Sequence, residues 1–600
     1  MNGSISHRGP DAEGCYISAD RRVGLGNRLL RIVDITHSEQ PWVCRHDDAE
    51  YAITFNGEAY NYIELRRKLE ALGCQFTTNC DTEAVLWAYI HWGPKFVQRL
   101  NGPFAIAIYD GRENLLYLAR DRVGIRPLYY THLTDGTFAF SSEEKALLRI
   151  PGMSAIPNHR TLAAFFLETV ALTNGCAPVD SSFFRGISAL SPATYAILRA
   201  DGMQSQVYWS IPLSAPKETS QEVCIESIRD TITESVALRM PQEVPFAAAL
   251  SGGIDSSIVA SLLARDLNDP LTCFSLRFLG GPNPDYEAAE ILARKKGMRL
   301  IAVDLSPEQM LQDVDAMVYS MDAPHDTIRQ LGLFAMYRSC SQLGFKVALV
   351  GEGADEFLLG YYYTSPGFAA DQAICHNSAE FRQLWEGRVR FASSFFSDAF
   401  LSTIDYDEII ASTVSQYYDP CQSDDPLDKM HYFYIRKFLK YRLDANDRCG
   451  SAHGVEVRVP YCDHEVIHAS LQVPHSWNLF DGTEKWTLRE AFRDLLPSPT
   501  VGRRKYALPE CPVLAMHRLI AELTEAEIRA AHTDVWEILN RRQVEEVVAQ
   551  LAARIDDLGG SGLGTNSLTA EVPLSKPVEL RTKHVFMVLT FLRWFKLFCG

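Results

Sequence analysis

Apolar and polar positions are distributed in two ways along this chain, and the change of pattern divides it. Up to about residue 205, short apolar runs such as YAITFNGEAY, FAIAIYD, NLLYLARD and FAFSS end at turn-forming residues, as strands do. YIELRRKLEALG and DTEAVLWAYIHWG add apolar residues at helical spacing, and the combination predicts an α+β layered domain over 1–205. SQVYWSIPLSAPKETSQ turns polar around two prolines and predicts a linker at 206–220. In 221–600 the apolar runs PFAAAL, LTCFSLRF, LIAVDL and KVALVGEG alternate with helical stretches. That order predicts an α/β domain with a doubly wound parallel sheet and ligands at the C-terminal ends of its strands. From about 365 the pattern is mainly helical, and IDDLGGSGLGTNSLTAEVPLSKP predicts a loop. VFMVLTFLRWFKLFC carries Arg593 and Lys596 and is shorter than the roughly 20 apolar residues a bilayer span needs, so it predicts a helix packed on its own domain. No internal repeat is visible.

Composition narrows the partners. A chain of 600 residues, 47% hydrophobic and 22% charged, can build two or more sizeable cores. A formal net charge of −17 without any clustered Lys/Arg run argues against a nucleic-acid partner. Fourteen cysteines with no C-x-x-C pair suggest neither a disulfide scaffold nor a zinc ribbon, and fit a reducing, cytoplasmic setting. MNGSISHRGPD lacks the apolar core of a signal peptide, and no membrane partner is expected.

Candidate chemistry begins at VPFAAALSGGIDSS, where a buried strand meets a helix through two glycines and an aspartate. Small residues let backbone N–H groups approach an anion at the positive end of a helix. Ser251, Gly252, Gly253, Asp255 and Ser256 supply that set. The Walker cradle ends in Gly-Lys, and no such pair occurs in this chain. An aspartate in the lysine's place reaches phosphate only through a cation, Mg²⁺ being the expected one. The turn Gly351–Glu356, GEGADE, brings Asp355 as a second Mg²⁺ ligand and leaves Glu352 near the α-phosphate, to orient the attacking group or take its proton. A glycine pair after a strand is ordinarily a plain turn; two such turns in one βα succession, both bearing Asp, are not.

SGGIDSS resembles the pyrophosphate loop of the N-type ATP pyrophosphatases. GEGADE, DRCGSAHGVEVRVPYCDHE and EKWTLREAF resemble segments of the glutamine-hydrolysing asparagine synthetase family, and the likeness runs from about residue 7 to 510. The resemblance implies that ATP activates a substrate carboxylate as an acyl-adenylate with release of pyrophosphate, and that ammonia then displaces AMP. It places nucleotide contacts on Leu250, Ser251, Gly252, Gly253, Asp255 and Ser256, on Leu276, and on Val350 and Gly351. It places Mg²⁺ on Asp255 and Asp355, the adenylation glutamate on Glu352, and a lysine beside the leaving phosphate on Lys485. Asp326-Thr327-Ile328-Arg329 resembles a substrate-side segment in which Arg329 grips a carboxylate or phosphate. In FLLGY, Leu359 stands where the family usually has glycine.

In the front part, HRGPD, FNGEAYN, NCDTE and ARDRVGIRPLYY resemble the class II glutamine amidotransferase domain, which implies an Ntn-type αββα glutaminase-like fold. That family attacks glutamine with an N-terminal cysteine whose own α-amine is the base. Here residue 2 is Asn2, and the first cysteine, Cys15, has no free amine and reads as a structural thiol. Leu29 replaces the arginine of the glutamine carboxylate clamp, with Arg28 and Arg31 as displaced neighbours, while Asn56, Gly57, Glu58 and Asp81 of the pocket remain. Two readings stay open: Met1 is an internal methionine of a longer protein, or the domain is a scaffold, as in the β-lactam synthetases. On this sequence, ammonia or a substrate amine is the nitrogen source, with glutamine requiring the missing nucleophile.

His464-Glu-Val-Ile-His468 matches the zincin pattern HExxH, but it follows VRVPYCD and no clear third ligand follows it. Three functions remain: a synthetase-like ligase acting on aspartate, a related ligase acting on another, biosynthetic carboxylate, and a silent scaffold. Expected partners are a small-molecule carboxylate and the nitrogen donor, and a homodimer is compatible with each reading.

Overall fold

The computed structural model describes all residues except 173, 174, 176, 212–218, 362–377, 419, 422, 424, 505–512 and 561–575. Among the described residues the front part has eleven strands: β1 (Ala12–Ile17), β2 (Gly24–Leu29), β3 (Trp42–His46), β4 (Ala49–Gly57), β5 (Phe104–Asp110), β6 (Leu115–Arg120), β7 (Tyr129–His132), β8 (Phe138–Ser141), β9 (Ser188–Ala189), β10 (Thr194–Arg199) and β11 (Gly202–Val207). An antiparallel sheet in the order β11-β10-β6-β5-β4-β3 forms one layer, and the pair β1-β2 with the trio β8-β7-β9 forms the other.

Side-chain alternation explains the layering, because successive residues of a strand point to opposite faces. On β5, Phe104, Ile106 and Ile108 pack with Leu65, Leu69, Val85 and Tyr89 of the helices Tyr62–Glu70 and Asp81–Trp92. Ala105, Ala107 and Tyr109 face the second sheet layer, against Leu25, Leu128 and Leu190. The bulky face takes helices and the small face takes a sheet. The short helix Glu144–Leu147 packs on β7 and β8 from outside, which completes an αββα arrangement.

The back part carries β12 (Phe246–Ala249), β13 (Thr272–Phe278), β14 (Arg299–Leu305), β15 (Val347–Leu349) and β16 (Glu456–Arg458), all parallel, in the order β14-β13-β12-β15-β16. Both faces are covered: Ala247, Phe274 and Ala348 belong to one core, and Ala248, Cys273, Val347 and Leu349 to the other. The sheet reverses direction of build at β12, so the crevice beyond the ends of β12 and β15 is its topological switch point. The last helix, Lys576–Phe598, packs against Leu514–Ala530 and Arg541–Gly560, burying Val585, Phe586, Leu589 and Trp594. No described helix is long and apolar enough to cross a membrane.

Strand β11 reaches Val207, two residues into the stretch predicted as linker, and the next helix starts at Gln221. Residues 212–218 of that linker and 561–575 of the 555–577 loop prediction lie outside the described residues, while 555–560 continue the helix Arg541–Gly560 and 576–577 begin the helix Lys576–Phe598, so the ends of that loop prediction are helical. Between front and back parts runs a buried lattice of ion pairs. Arg8 joins Glu143 at 3.0 Å and Asp447 at 2.9 Å, Arg126 joins Asp447 at 2.8 Å and Glu456 at 2.9 Å, and Arg448 joins Glu144 at 2.6 Å and Asp322 at 3.0 Å.

Candidate active site

The turn after β12 is built for close backbone approach. Gly252 takes φ +71°, and a Cβ there would stand 2.7 Å from Asp285 O and Ala289 N of the next helix. Ser251 and Ser256 hydroxyls lie 3.0 Å apart, the Ser256 hydroxyl accepts from Ser251 N at 3.1 Å, and Gly253 N donates to Ser251 Oγ at 3.4 Å. The helix Ile254–Arg265 then begins with its N-terminus at this turn. Leu250 is tied to the sheet by its N–H on Phe274 O at 2.8 Å, and Val350 by its N–H on Arg458 O at 3.0 Å. Gly351 is what lets the two turns touch, since a Cβ there would stand 2.8 Å from Ser256 N.

Asp255 and Asp355 meet across this crevice through Lys485. Its ammonium donates to Asp255 Oδ1 and Oδ2 at 2.8 and 2.7 Å and to Asp355 Oδ1 at 2.7 Å. Burial pulls the Lys485 pKa down, but the two carboxylates outweigh it and hold the group above the ordinary lysine range. The ammonium sits where a cation held by both aspartates would sit, and so marks that position. Two acidic ligands converging on one point suit Mg²⁺, which takes few protein ligands and leaves positions for phosphate oxygens and water. No cluster of three or more metal-ligating side chains exists among the described residues, so the nucleotide would have to complete the shell.

Lys485 reaches this point because its backbone adopts φ +53°, a left-handed conformation that is rare for lysine. The segment is clamped by Arg489, which donates to Glu484 Oε1 at 2.6 Å and to Glu484 O at 2.8 Å. Glu352, half-buried in the second turn, accepts from Asn446 Nδ2 at 3.4 Å. Asn446 Oδ1 in turn accepts from the Tyr337 hydroxyl. Leu276 lies on β13 and touches Gly332, and Arg329 opens the helix Arg329–Gln342 with its N–H on Thr327 Oγ1 at 3.4 Å.

Sequence reasoning missed Asn446 and also Tyr461, whose hydroxyl donates to Asp255 O at 3.1 Å. Tyr461 lies on a segment singled out only for its likeness, Asn446 just before it, and neither carries a charge to draw notice. Among the described residues HEVIH belongs to no cluster of three metal-ligating side chains: His464 is flanked by Asp463 and Glu465 at 3.5 and 3.4 Å, while His468 is exposed.

In the front domain a cavity of about 430 Å³ gathers Arg28, Leu29, Asn56, Gly57, Glu58 and Asp81, and its far wall is Ser451, Val455 and Glu456 of the back domain. Arg28 lines it but donates to Gly9 O at 3.2 Å and Glu13 Oε2 at 2.8 Å. Asn56 donates to Ser142 Oγ at 3.3 Å, and Asp81 Oδ2 accepts from Ala59 N at 2.9 Å. Burial pushes the Asp81 carboxyl up to about 6 against its hydrogen bonds, and pushes Glu58 well up too, with Glu456 adding to it. Asn2 also lines the cavity, and Cys15 sits exposed on β1. The one described cysteine on the wall is Cys80, whose thiol burial and then Asp81 hold protonated.

Residues 227–570 match the family described as asparagine synthase, and residues 1–209 match the glutamine amidotransferase domain. The chain is 29% identical over 554 residues to asparagine synthetase (glutamine-hydrolyzing) 1 of Bacillus subtilis (strain 168), with 88% of this chain and 85% of that protein covered. It is 28% identical over 573 residues to synthetase 3 of the same organism, covering 91% and 89%. With amidase chry2 of Gibberella zeae it shares 27% identity over 606 residues and 87% of each chain. Paired aspartate turns at the switch point of a parallel sheet, behind an αββα front domain, are thus matched along nearly the whole sequence: the chain belongs to the asparagine synthase family.

Proposed function

We propose that this chain is an ATP-dependent amide-forming ligase that activates a small carboxylate as an acyl-adenylate and transfers ammonia to it. The observation that carries the reading is the convergence of Asp255 and Asp355 on one cationic point above the SGG cradle. The N–H groups of the Ser251–Ser256 turn and the start of the following helix receive the ATP phosphates. Asp255 and Asp355 would hold Mg²⁺, whose charge would offset that of the phosphates.

The substrate carboxylate oxygen attacks the α-phosphorus and pyrophosphate leaves. Lys485 counters the charge that grows on the departing phosphates. Ammonia then attacks the acyl carbon, the bond to AMP breaks, and Glu352 takes the proton the nitrogen sheds. Ammonia, supplied free or released from glutamine, is the nitrogen source in this reading.

The test is pyrophosphate release by the full chain over a panel of carboxylic acids, with ammonia and with glutamine. AMP and pyrophosphate are the expected nucleotide products, and Asp255→Ala is expected to abolish them by removing one cation ligand. ADP and orthophosphate as products would overturn the reading. A second reading, a carboxylate other than aspartate, is favoured by Leu359, a leucine in the left-handed region immediately beside the Asp355 turn. Silence with aspartate and release with another acid would select it; silence with every acid would leave the scaffold.

A further inference from the structure

Two histidines meet behind the Asp355 turn. His431, on the helix Pro426–Phe433, donates from Nε2 to Phe357 O at 3.0 Å. His475, the first residue of the short helix His475–Asn478, sets its Nε2 2.6 Å from Asp428 Oδ1. The rings meet edge to face with centroids 5.4 Å apart. A carbonyl or carboxylate acceptor fixes the proton of a neutral imidazole on Nε2 and leaves Nδ1 as a bare lone pair. Burial, and then the neighbouring His475, keep His431 neutral by pulling its pKa down to about 3.

Neither lone pair is used. Nδ1 of His431 and Nδ1 of His475 are buried without a hydrogen-bond partner among the described residues, and so are both Oδ1 and Nδ2 of Asn478, three residues beyond His475. Residues three apart on a helical turn share its face. His431 is 1% exposed and Asn478 0%, so bulk water does not serve them. Buried polar atoms without partners are uncommon, and here four fall on three residues of one neighbourhood.

The surroundings fit a metal ion. An imidazole that binds a metal characteristically donates its other ring N–H to a carbonyl or carboxylate, which fixes the tautomer and aims the ring. Both rings already do this, and the Ser423 hydroxyl braces Asp428 on its other oxygen. Two imidazoles on one tetrahedral ion, with metal–nitrogen distances of about 2.0–2.1 Å, have centroids about 5 Å apart, close to the observed spacing. No three His, Cys, Asp or Glu side chains cluster there among the described residues. The chain would therefore supply two nitrogens and one amide oxygen, and water the remaining position.

We propose that His431 Nδ1, His475 Nδ1 and Asn478 Oδ1 bind a divalent cation of the zinc class, at a position separate from the point between Asp255 and Asp355. Imidazole nitrogen suits zinc and its neighbours, whereas Mg²⁺ prefers oxygen, so the two positions select different ions. The ion would tie the helix Pro426–Phe433, which already holds Phe357 O, to the segment that runs on to Lys485. The proposal does not depend on the ligase reading.

The experiment strips the full chain with a chelator, dialyses it and titrates it with Zn²⁺ alone, reading bound metal by elemental analysis and stability by thermal unfolding. One zinc per chain and a raised thermal midpoint are expected. His431→Gln and His475→Gln should each weaken binding at least 10-fold, and Asp428→Asn, which alters only the carboxylate behind His475, about 10- to 100-fold. His468→Ala, at the exposed histidine of HEVIH, should bind zinc as wild type does. No zinc on wild type, wild-type affinity in both glutamine variants, or zinc lost with His468→Ala would overturn the site. Should His431→Gln fail to fold, His475→Gln decides, its side chain being 15% exposed and so the more tolerant position: unchanged affinity overturns the site and weakened affinity supports it.

Discussion

Leu359 is wholly buried yet held at φ +56°, where a Cβ is strained. Two opposed terms meet at this residue. Glycine would release about 1–2 kcal/mol of left-handed strain, but it would forfeit the burial of the leucine side chain, about 2–5 kcal/mol for a large-to-small change. Leu359→Gly is therefore expected to lower the thermal midpoint, and a raised midpoint would show that strain dominates. Asp81 poses a second residue-scale question. Its carboxyl rises from 3.8 to about 6 on folding, so the native state holds a proton that the unfolded chain has lost. The stabilisation is complete below pH 3.8 and disappears as pH climbs through 6, a difference of about 3 kcal/mol. Asp81→Asn should flatten the fall in thermal midpoint between pH 4 and 6; an unchanged slope would place the titration elsewhere, with Glu58 the next group to replace.

Elements were legible where periodicity and punctuation agreed. PFAAAL, LTCFSLRF, LIAVDL and KVALV each became a strand of one parallel sheet, because a strand buried on both faces reads as a continuous apolar run. The turns SGG and GEG were legible as punctuation after those strands, and the structure shows close contacts that exclude a Cβ at Gly252 and Gly351 and a left-handed backbone at Gly353, while Gly253 has room for one. Strand β16 was not recognised as the sheet's fifth member, since Glu456–Arg458 is three residues long and its charged ends answer the domain interface rather than the pleat. Asn446 was equally silent, because its place opposite Glu352 depends on how a distant helix crosses the strand ends. Asp463 shows how one side chain can serve several elements. It caps the helix His464–Leu471 through Glu465 N at 2.9 Å, pairs with Arg239 at 2.7 Å and accepts from Asn101 Nδ2 of the front domain at 3.0 Å. Asp463→Ala strands the buried Arg239 charge and should cost about 3–5 kcal/mol, read as a lowered denaturant midpoint; a change under 1 kcal/mol would mean that water replaces the partner.

Across the whole molecule, the front cavity and the nucleotide crevice are joined by one helix, Lys440–Ser451, whose Ser451 lines the cavity and whose Asn446 touches Glu352. The ion-pair lattice around Asp447 and Arg448 fixes that helix between the domains. Lys485, bridging the two aspartates, adds a property of the resting protein as a whole. Its tether keeps a competing cation permanently at hand, so magnesium salts alone should leave the thermal midpoint unmoved while magnesium with ATP raises it. A shift with magnesium alone would show that the lysine yields without help. On the proposed reading, a protein wired in this way would ignore swings in free magnesium and respond only when its fuel arrives.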